Sequence, residues 1–381
     1  MSVTFAKGFR AAGVVAGLKA SGTPDVAVVI NDGPDQDAAA VFTSNRIAAA
    51  PVLWSQQVIM DGRLRAVVLN SGGANACTGP EGFADTHHTA EAAAEALGVG
   101  PIDVAICSTG LIGERLDMPK LLPAVREAIA GADPAGGELA AEAIMTTDSV
   151  PKTATFEAGY RIGGMAKGAG MLAPGMATML SVITTDAVIG AQALDRAFRA
   201  AVAATFDRVD ADGCMSTNDT VIVMASGASG LPADATFTDG LQQVCADLSR
   251  QLAADAEGAS KLIDVTVTRA ASEAEAVDVA RAVARSALFK CAMFGEDPNW
   301  GRVLSAVGTT DAQFDPLHVD VTINGVMVCR DSGPGEPRES VDLSAREITV
   351  VVDLHAGSDE ATIVTTDLTT EYVHENSAYS T

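Results

Sequence analysis

KGAGMLAPGMATMLSVITT, residues 167–185, is the stretch that decides how this chain folds. A glycine-rich run leads into it, and Pro174 and Gly175 interrupt it, so we expect a loop with backbone angles that few residues adopt. The apolar run 179–183 follows and predicts a β-strand. Thr178 therefore stands where a glycine-rich loop enters a strand.

This position suits self-cleavage of the chain. The hydroxyl of Thr178 can attack the carbonyl of Ala177 if the loop strains the peptide bond between them. Hydrolysis of the resulting ester leaves Thr178 as a new N-terminus, whose α-amine has an ordinary pKa near ~8 and can act as base for its own hydroxyl. A glycine-rich turn entering a buried strand has the same spacing, and spacing alone favours that structural interpretation.

Composition narrows the class of protein. The chain has 381 residues, 48% hydrophobic and 19% charged, which indicates one large globular domain or two. The net charge of −24 argues against nucleic acid or an anionic membrane as a partner. No apolar run is long enough to span a membrane, and no secretory signal is visible near the start. The six cysteines form no CxxC pair, so we expect reduced thiols and a cytoplasmic location rather than disulfides or a zinc site.

Apolar patterning predicts an α/β fold. Strands are expected at residues 25–31, 38–43, 65–71, 103–109, 221–225, 262–267, 318–323, 326–329, 347–354 and 361–366. Helices are expected at residues 83–97, 118–130, 137–144, 193–206, 241–254 and 274–289. Residues 70–76 form a polar loop between a strand and a helix, and we interpret it as a tight turn that brings backbone close to a site.

A few polar residues are candidates for chemistry. Thr109 and Gly110 close a strand, and a hydroxyl beside a glycine N–H can form an oxyanion hole. Thr146 and Thr147 place two hydroxyls in a loop, and Glu257 follows a predicted helix. Turns, helix caps and solvated surfaces use the same residue types, so considered singly each has a structural interpretation that is better supported.

Taken together, six motifs resemble one family. They occur in the order ICSTGLIGE (106–114), MTTDSVPK (145–152), KGAGMLAPGMATML (167–180), DGCMSTNDTV (212–221), EGASKLI (257–263) and GEDPNWGR (295–302). This set resembles the ornithine acetyltransferase family of arginine biosynthesis, also called glutamate N-acetyltransferase. The resemblance covers nearly the whole chain, and the ordered set is far more specific than any single motif.

The resemblance implies a self-processed enzyme with an αββα sandwich, the fold of the DmpA-type aminopeptidases and similar to N-terminal-nucleophile hydrolases. Cleavage between Ala177 and Thr178 gives an α-chain of residues 1–177 and a β-chain of residues 178–381. The two chains are expected to fold together as one catalytic unit, with room for a smaller C-terminal subdomain. Two α and two β chains are expected to assemble as a heterotetramer.

The resemblance also assigns roles to residues. Thr178 is the expected nucleophile, and Thr109 with Gly110 is the expected oxyanion hole. The expected substrate contacts are Thr146, Thr147, Lys167, Thr178, Glu257, Asn376 and Thr381. The implied reaction moves the acetyl group of N2-acetyl-L-ornithine to L-glutamate through an acetyl-Thr intermediate, with no metal or cofactor.

The same motifs are compatible with other functions. A DmpA-type aminopeptidase or amidase would use the same cleavage chemistry and pass the acyl group to water. A binding protein on the same scaffold would not react at all. Within the family, the motifs do not separate members that also take acetyl groups from acetyl-CoA from members that only recycle them, nor arginine-pathway enzymes from paralogues in secondary metabolism.

Overall fold

The computed structural model describes residues 2–173 and 179–378, which form three β-sheets with flanking helices. The strands are β1 (Phe9–Val14), β2 (Val26–Asn31), β3 (Asp37–Phe42), β4 (Ala66–Asn70), β5 (Val104–Ser108), β6 (Lys152–Ala158), β7 (Tyr160–Lys167), β8 (Leu180–Thr185), β9 (Thr220–Ala225), β10 (Leu262–Ala270), β11 (Asp320–Ile323), β12 (Val326–Arg330), β13 (Gly333–Pro334), β14 (Glu347–Asp353) and β15 (Asp359–Thr366). The helices are α1 (Ala50–Val58), α2 (Gly79–Leu97), α3 (Met118–Ala130), α4 (Gly137–Ala143), α5 (Ala191–Ala204), α6 (Ala235–Ala254), α7 (Glu273–Ala284), α8 (Ala287–Phe294), α9 (Trp300–Val307) and α10 (Thr370–Ala378).

Two of the sheets pack face to face. The four-stranded sheet has the order β1-β2-β4-β5, and the five-stranded sheet has the order β3-β9-β8-β7-β6. Val182 of β8 shares a buried cluster with Val67 of β4, whereas the next residue, Ile183, packs on the other side with Phe198 of α5 and Leu241 of α6. Helices α1, α2 and α3 cover the outer face of the four-stranded sheet. This order of layers is the αββα sandwich that the family resemblance implied.

The strand predicted at residues 179–183 is central to the five-stranded sheet. It is β8, which pairs antiparallel with β7 and parallel with β9. In this register Leu180 is opposite both Lys167 and Thr220. The end of β7 and the starts of β8 and β9 therefore meet at one edge of the sheet.

Strand β7 was not predicted, because its two glycines were interpreted as part of the loop. A Cβ atom at Gly163 would lie 2.3 Å from the carbonyl oxygen of Ser2, and one at Gly164 would lie 2.9 Å from Leu248. These glycines give the strand room against the N-terminal segment on one face and α6 on the other. They serve close packing rather than a turn.

The C-terminal part forms the third sheet, with the order β13-β12-β11-β14-β10-β15 and its own apolar core. Here one prediction was wrong. The helix expected at 274–289 is two helices, α7 and α8, which break at Arg285 and Ser286. The hydroxyl of Ser286 accepts the N–H of Phe289 at 3.3 Å and caps the N-terminus of α8. The apolar spacing of α7 continues into α8, and for this reason the sequence pattern did not reveal the boundary between the two helices.

Within residues 2–173 and 179–378, no helix combines the length and the apolar character needed to cross a membrane. All six cysteines are free thiols.

Candidate active site

A pocket opens at the sheet edge where β7, β8 and β9 meet. It contains all seven of the predicted site residues that the structure describes, although they come from five separate segments of the chain. Its lining consists of Ala74, Thr109, Gly110, Ile112, Thr146, Thr147, Lys167, Gly170, Met171, Ser216, Thr217, Asn218, Glu257 and Asn376. Three predicted site residues, Ala177, Thr178 and Thr381, lie outside the described residues.

The Thr109–Gly110 pair is held by the loop that follows β4. Gly73 donates its N–H to the carbonyl of Thr109 at 3.0 Å, and Ala74 donates to Leu111 at 3.1 Å. Gly110 has a φ of 130°, and a Cβ there would lie 2.8 Å from the nitrogen of Gly73, so only glycine fits. Among the described residues none accepts a hydrogen bond from the Gly110 N–H. The loop predicted at residues 70–76 thus brings its backbone against Thr109 and Leu111 at this pocket.

Asn218, which was not predicted as a site residue, binds both the loop after β4 and the end of β5. Its side-chain amide donates to the carbonyl of Ala74 at 2.6 Å and to that of Ser108 at 2.7 Å, and the residue is buried. Ala74 lies in the loop after β4, and Ser108 ends β5. Asn218 thus joins these two segments next to Thr109.

Lys167 connects the pocket to a buried charge network. It ends β7, is buried, and donates from Nζ to the hydroxyl oxygen of Thr109 at 3.2 Å. Burial lowers the pKa of Lys167, and the charge of Asp148 opposes this effect. Because the Thr109 oxygen accepts from Lys167, its own hydrogen remains free to donate toward the pocket.

Asp148 anchors that network and was not predicted as a site residue. Its carboxylate accepts from Lys152 Nζ and from the Gly168 N–H, both at 2.6 Å, and from the Thr146 N–H at 3.0 Å. Burial alone would raise the pKa of Asp148, but the charges of Lys167 and Lys152 and these hydrogen bonds lower the pKa to about 2. One carboxylate therefore holds the loop of Thr146 and the end of β7 in place.

We expect Asp148→Asn to destabilise the fold at neutral pH. It removes the carboxylate charge that offsets the burial of Lys167 and one of the two carboxylate partners of Lys152, whose other partner is Asp255. Loss of one partner from a buried pair costs about 3–5 kcal/mol of unfolding free energy. The folded-state pKa of Asp148 is depressed, so the wild-type advantage is complete above pH ~4 and disappears as the pH falls toward 2. Urea unfolding at a series of pH values measures it. The exposed Asp195→Asn is the matched control, and equal stability of Asp148→Asn and wild type at pH 7 would contradict this account.

Glu257 and the two threonines form the opposite wall. The Thr147 hydroxyl donates to Glu257 Oε1 at 2.8 Å, and the Glu257 N–H donates to the carbonyl of Ala169 at 3.0 Å. A Cβ at Gly170 would lie 2.6 Å from Glu257 Oε2, so this glycine lets the carboxylate lie directly against the backbone. The wall therefore presents a half-buried carboxylate to the pocket.

The C-terminal helix α10 closes the pocket from outside. A Cβ at Gly258, whose φ is 61°, would lie 2.2 Å from the nitrogen of Tyr372, and the Thr369 hydroxyl donates to the Gly258 carbonyl at 2.6 Å. The helix is thus seated on the turn that follows Glu257. This contact places Asn376 at the pocket, as expected from the resemblance and not from the polar composition of the tail.

The pocket carries a hydroxyl, the backbone N–H of Gly110, a buried cation and a carboxylate, which together suit acyl chemistry on a charged small molecule. The described residues contain no cluster of three or more His, Cys, Asp or Glu able to hold a metal ion. Comparison with known proteins agrees with this chemistry: residues 10–381 match the ArgJ family. The chain belongs to the ArgJ family.

The similarity to individual ArgJ proteins extends over full length. The arginine biosynthesis bifunctional protein ArgJ of Streptomyces coelicolor is 63% identical over 382 residues, which covers 100% of both chains. The protein of the same name from Thermobifida fusca is 63% identical over 383 residues, also 100% of both. The solved structure of ornithine acetyltransferase complexed with ornithine from Mycobacterium tuberculosis is 59% identical and matches 47% of this chain and 96% of that chain, with a TM-score of 0.45. The resemblance to the ornithine acetyltransferase family, predicted from the six ordered motifs, is confirmed.

Proposed function

We propose that this chain cleaves itself before Thr178 and then transfers the acetyl group of N2-acetyl-L-ornithine to L-glutamate, yielding L-ornithine and N-acetyl-L-glutamate. The main support for the proposal is that Thr109, Gly110, Lys167 and Glu257 line the same pocket, at the sheet edge where β8 begins. Membership in the ArgJ family and full-length similarity to bifunctional arginine biosynthesis proteins support it. Glutamate acetylation from acetyl-CoA is the second activity that the word bifunctional suggests for this chain.

The chemistry follows from the nucleophile and its neighbours. The α-amine of Thr178 takes the proton of the Thr178 hydroxyl, which attacks the acetyl carbonyl. The Thr109 hydroxyl and the Gly110 N–H stabilise the oxyanion, and Lys167 orients the Thr109 hydroxyl by donating to its oxygen. Ornithine leaves with the returned proton, and the amine of glutamate then attacks the acetyl-Thr ester. Both half-reactions use one site, so the kinetics are ping-pong.

Charge in the pocket suits the two amino acids. Glu257 is a half-buried carboxylate and matches the side-chain ammonium of the ornithine part. Lys167 uses one donor on Thr109 among the described residues, which leaves its other two for a substrate carboxylate. Thr146, Thr147 and Asn376 add polar contacts around these charges. Thr381 is proposed as a further contact on the resemblance alone.

The two cleavage products, residues 1–177 and 178–381, are proposed to remain one catalytic unit. Strand β8 lies between β7 and β9 in the same sheet, so the segments on either side of the cut share backbone ladders. The β3–β9 pairing adds a second link between them. We propose a heterotetramer of two α and two β chains, acting in the cytoplasm, with the six-stranded sheet as the smaller C-terminal unit.

Denaturing intact-mass measurement, with and without N-acetylornithine, tests the proposal. The expected result is two fragments separated before Thr178, with one acetyl group added to the C-terminal fragment. A single unmodified chain would refute self-cleavage. Release of ornithine should also require glutamate; if water accepts the acetyl group equally fast without glutamate, the chain is an amidase of the aminopeptidase type.

A further inference from the structure

A second cavity lies next to the active-site pocket, and three parts of the chain line both. Glu257 belongs to both linings. Ala169 lines the second cavity, and the next residue, Gly170, lines the pocket. On α10, Tyr372 lines the second cavity, and Asn376, one turn later, lines the pocket. The two spaces are therefore neighbours beneath the same helix.

The second cavity is the larger of the two. Its volume is about 210 Å³, against about 90 Å³ for the active-site pocket. An amino-acid substrate needs only a small pocket, whereas a donor with a long arm needs room beyond it. Acetyl-CoA, the second donor in the proposed function, is such a molecule. Its acetyl thioester ends a long pantetheine arm, and phosphate groups follow at the other end of that arm.

The protein itself binds most charged side chains of the second cavity. Lys290 donates to two backbone carbonyls at 2.5 Å each. Asp212 accepts the N–H of Cys214 at 3.0 Å, and Asp367 accepts the N–H of Lys261 at 2.9 Å. The rest of the lining is largely apolar, and this part suits the uncharged methyl and methylene groups of a pantetheine arm. It consists of Ala169, Ala211, Ala256, Ala284, Ala287 and Leu368.

Arg285 is a cation of this cavity that keeps donors for a ligand. It lies at the break between α7 and α8, and its side chain is 48% exposed. Its Nε donates to Asp210 at 2.7 Å, which fixes the guanidinium and leaves the terminal amino groups for other partners. The paired N–H groups of a guanidinium match the oxygens of a phosphate. Arg285 therefore offers a phosphate contact at an accessible part of the cavity.

We propose that the second cavity binds the pantetheine arm of acetyl-CoA, that Arg285 pairs with its phosphates, and that the thioester reaches the active-site pocket past Glu257. This inference rests on the proposed function, which supplies the nucleophile and the oxyanion donors. Transfer breaks the C–S bond of the thioester and forms the C–O bond of the acetyl-Thr ester, and the hydroxyl proton leaves on the sulfur of CoA. Glutamate then takes the acetyl group as before. The two donors thus share the acetyl site but not the space for the leaving group.

Arg285→Gln tests the phosphate contact. Glutamine keeps a donor for Asp210 and removes the charge, so we expect the KM for acetyl-CoA to rise about tenfold or more, the usual effect of losing a charged hydrogen bond. The KM for N-acetylornithine should not change. S-acetylpantetheine, which has no phosphates, should have the same KM with wild type and variant. Arg199→Gln removes an arginine from an exposed ion pair of α5 and is the matched control.

Ala287→Trp tests the course of the arm and leaves Arg285 in place. Ala287 is exposed and lines the cavity at the start of α8, so a large side chain there narrows the cavity without entering the core. We expect the KM to rise severalfold for both acetyl-CoA and S-acetylpantetheine, and not for N-acetylornithine. Ala200→Trp makes the same change at an exposed position of α5 and should alter none of these values.

The outcomes separate this inference from the proposed function. Calorimetric titration with CoA itself needs neither cleavage nor turnover, so it decides the inference even if wild type transfers nothing from N-acetylornithine and the proposed function falls. CoA binding that both variants weaken supports the second cavity as its site. Wild type that transfers acetyl groups from N-acetylornithine but neither binds CoA nor uses acetyl-CoA overturns the inference alone. It is also overturned if Arg285→Gln and Ala287→Trp bind CoA as wild type does, or if they weaken both donors equally.

Discussion

Thr178→Ala is expected to yield a single uncut chain of 381 residues with no measurable acetyl transfer. The variant lacks the hydroxyl that attacks the Ala177 carbonyl, so neither the ester nor the new α-amine forms. It also lacks the nucleophile for N-acetylornithine, and loss of the nucleophile from a hydrolase with covalent catalysis lowers kcat on the order of 10⁶-fold. Denaturing mass measurement and an ornithine-release assay on the same sample read both effects.

Thr178→Ser is the matched control, because it keeps a hydroxyl at the same position. We expect it to cut and to form an acetylated C-terminal fragment with N-acetylornithine. The Ala variant should nevertheless fold, because β8, which follows this residue, is held by β7 and β9 on both sides. An Ala variant that is cut before residue 178 would show that another group performs the cleavage.

The framework of this fold could be predicted wherever apolar runs are continuous. Helix α3 was predicted with its bounds, and β2, β4, β5 and β9 lie within one or two residues of their predicted ranges. These strands are fully buried, so every position favours an apolar residue. Strand β7 was missed because the reason for Gly163 lies in the N-terminal segment, which reaches it only in the folded chain.

The site was predictable as a set and not residue by residue. Thr109, Lys167 and Glu257 each had an ordinary structural interpretation, and only the ordered motifs joined them into one pocket. Asp148 and Asn218 were not recognised as site residues, because their function lies in their partners. The lysines around Asp148, and the two carbonyls bound by Asn218, come together through tertiary packing that no local pattern encodes.

Thr109→Val is expected to lower kcat per cut chain by about 10²–10³-fold, the usual loss when one oxyanion donor is removed. Valine matches threonine in shape, so the pocket keeps its form while the hydroxyl is lost. The Gly110 N–H remains, so transfer should stay well above that of the Thr178→Ala variant. Since the oxyanion also forms during cleavage, the variant should cut slowly, and the cut fraction determined by mass must normalise each rate.

A second consequence separates this role from simple packing. Lys167 is buried and loses its hydrogen-bond acceptor in Thr109→Val, which costs about 1–3 kcal/mol of unfolding free energy. Thr109→Ser keeps the hydroxyl, and we expect it to restore both the stability and the rate. If Thr109→Val loses only stability and its cut chains turn over at the wild-type rate, the oxyanion donor is elsewhere. If Thr109→Ser fails along with Val, the methyl group and not the hydroxyl is what the pocket needs. Recovery with serine alone would support the chain of donors that runs from Lys167 through Thr109 to the acetyl oxygen.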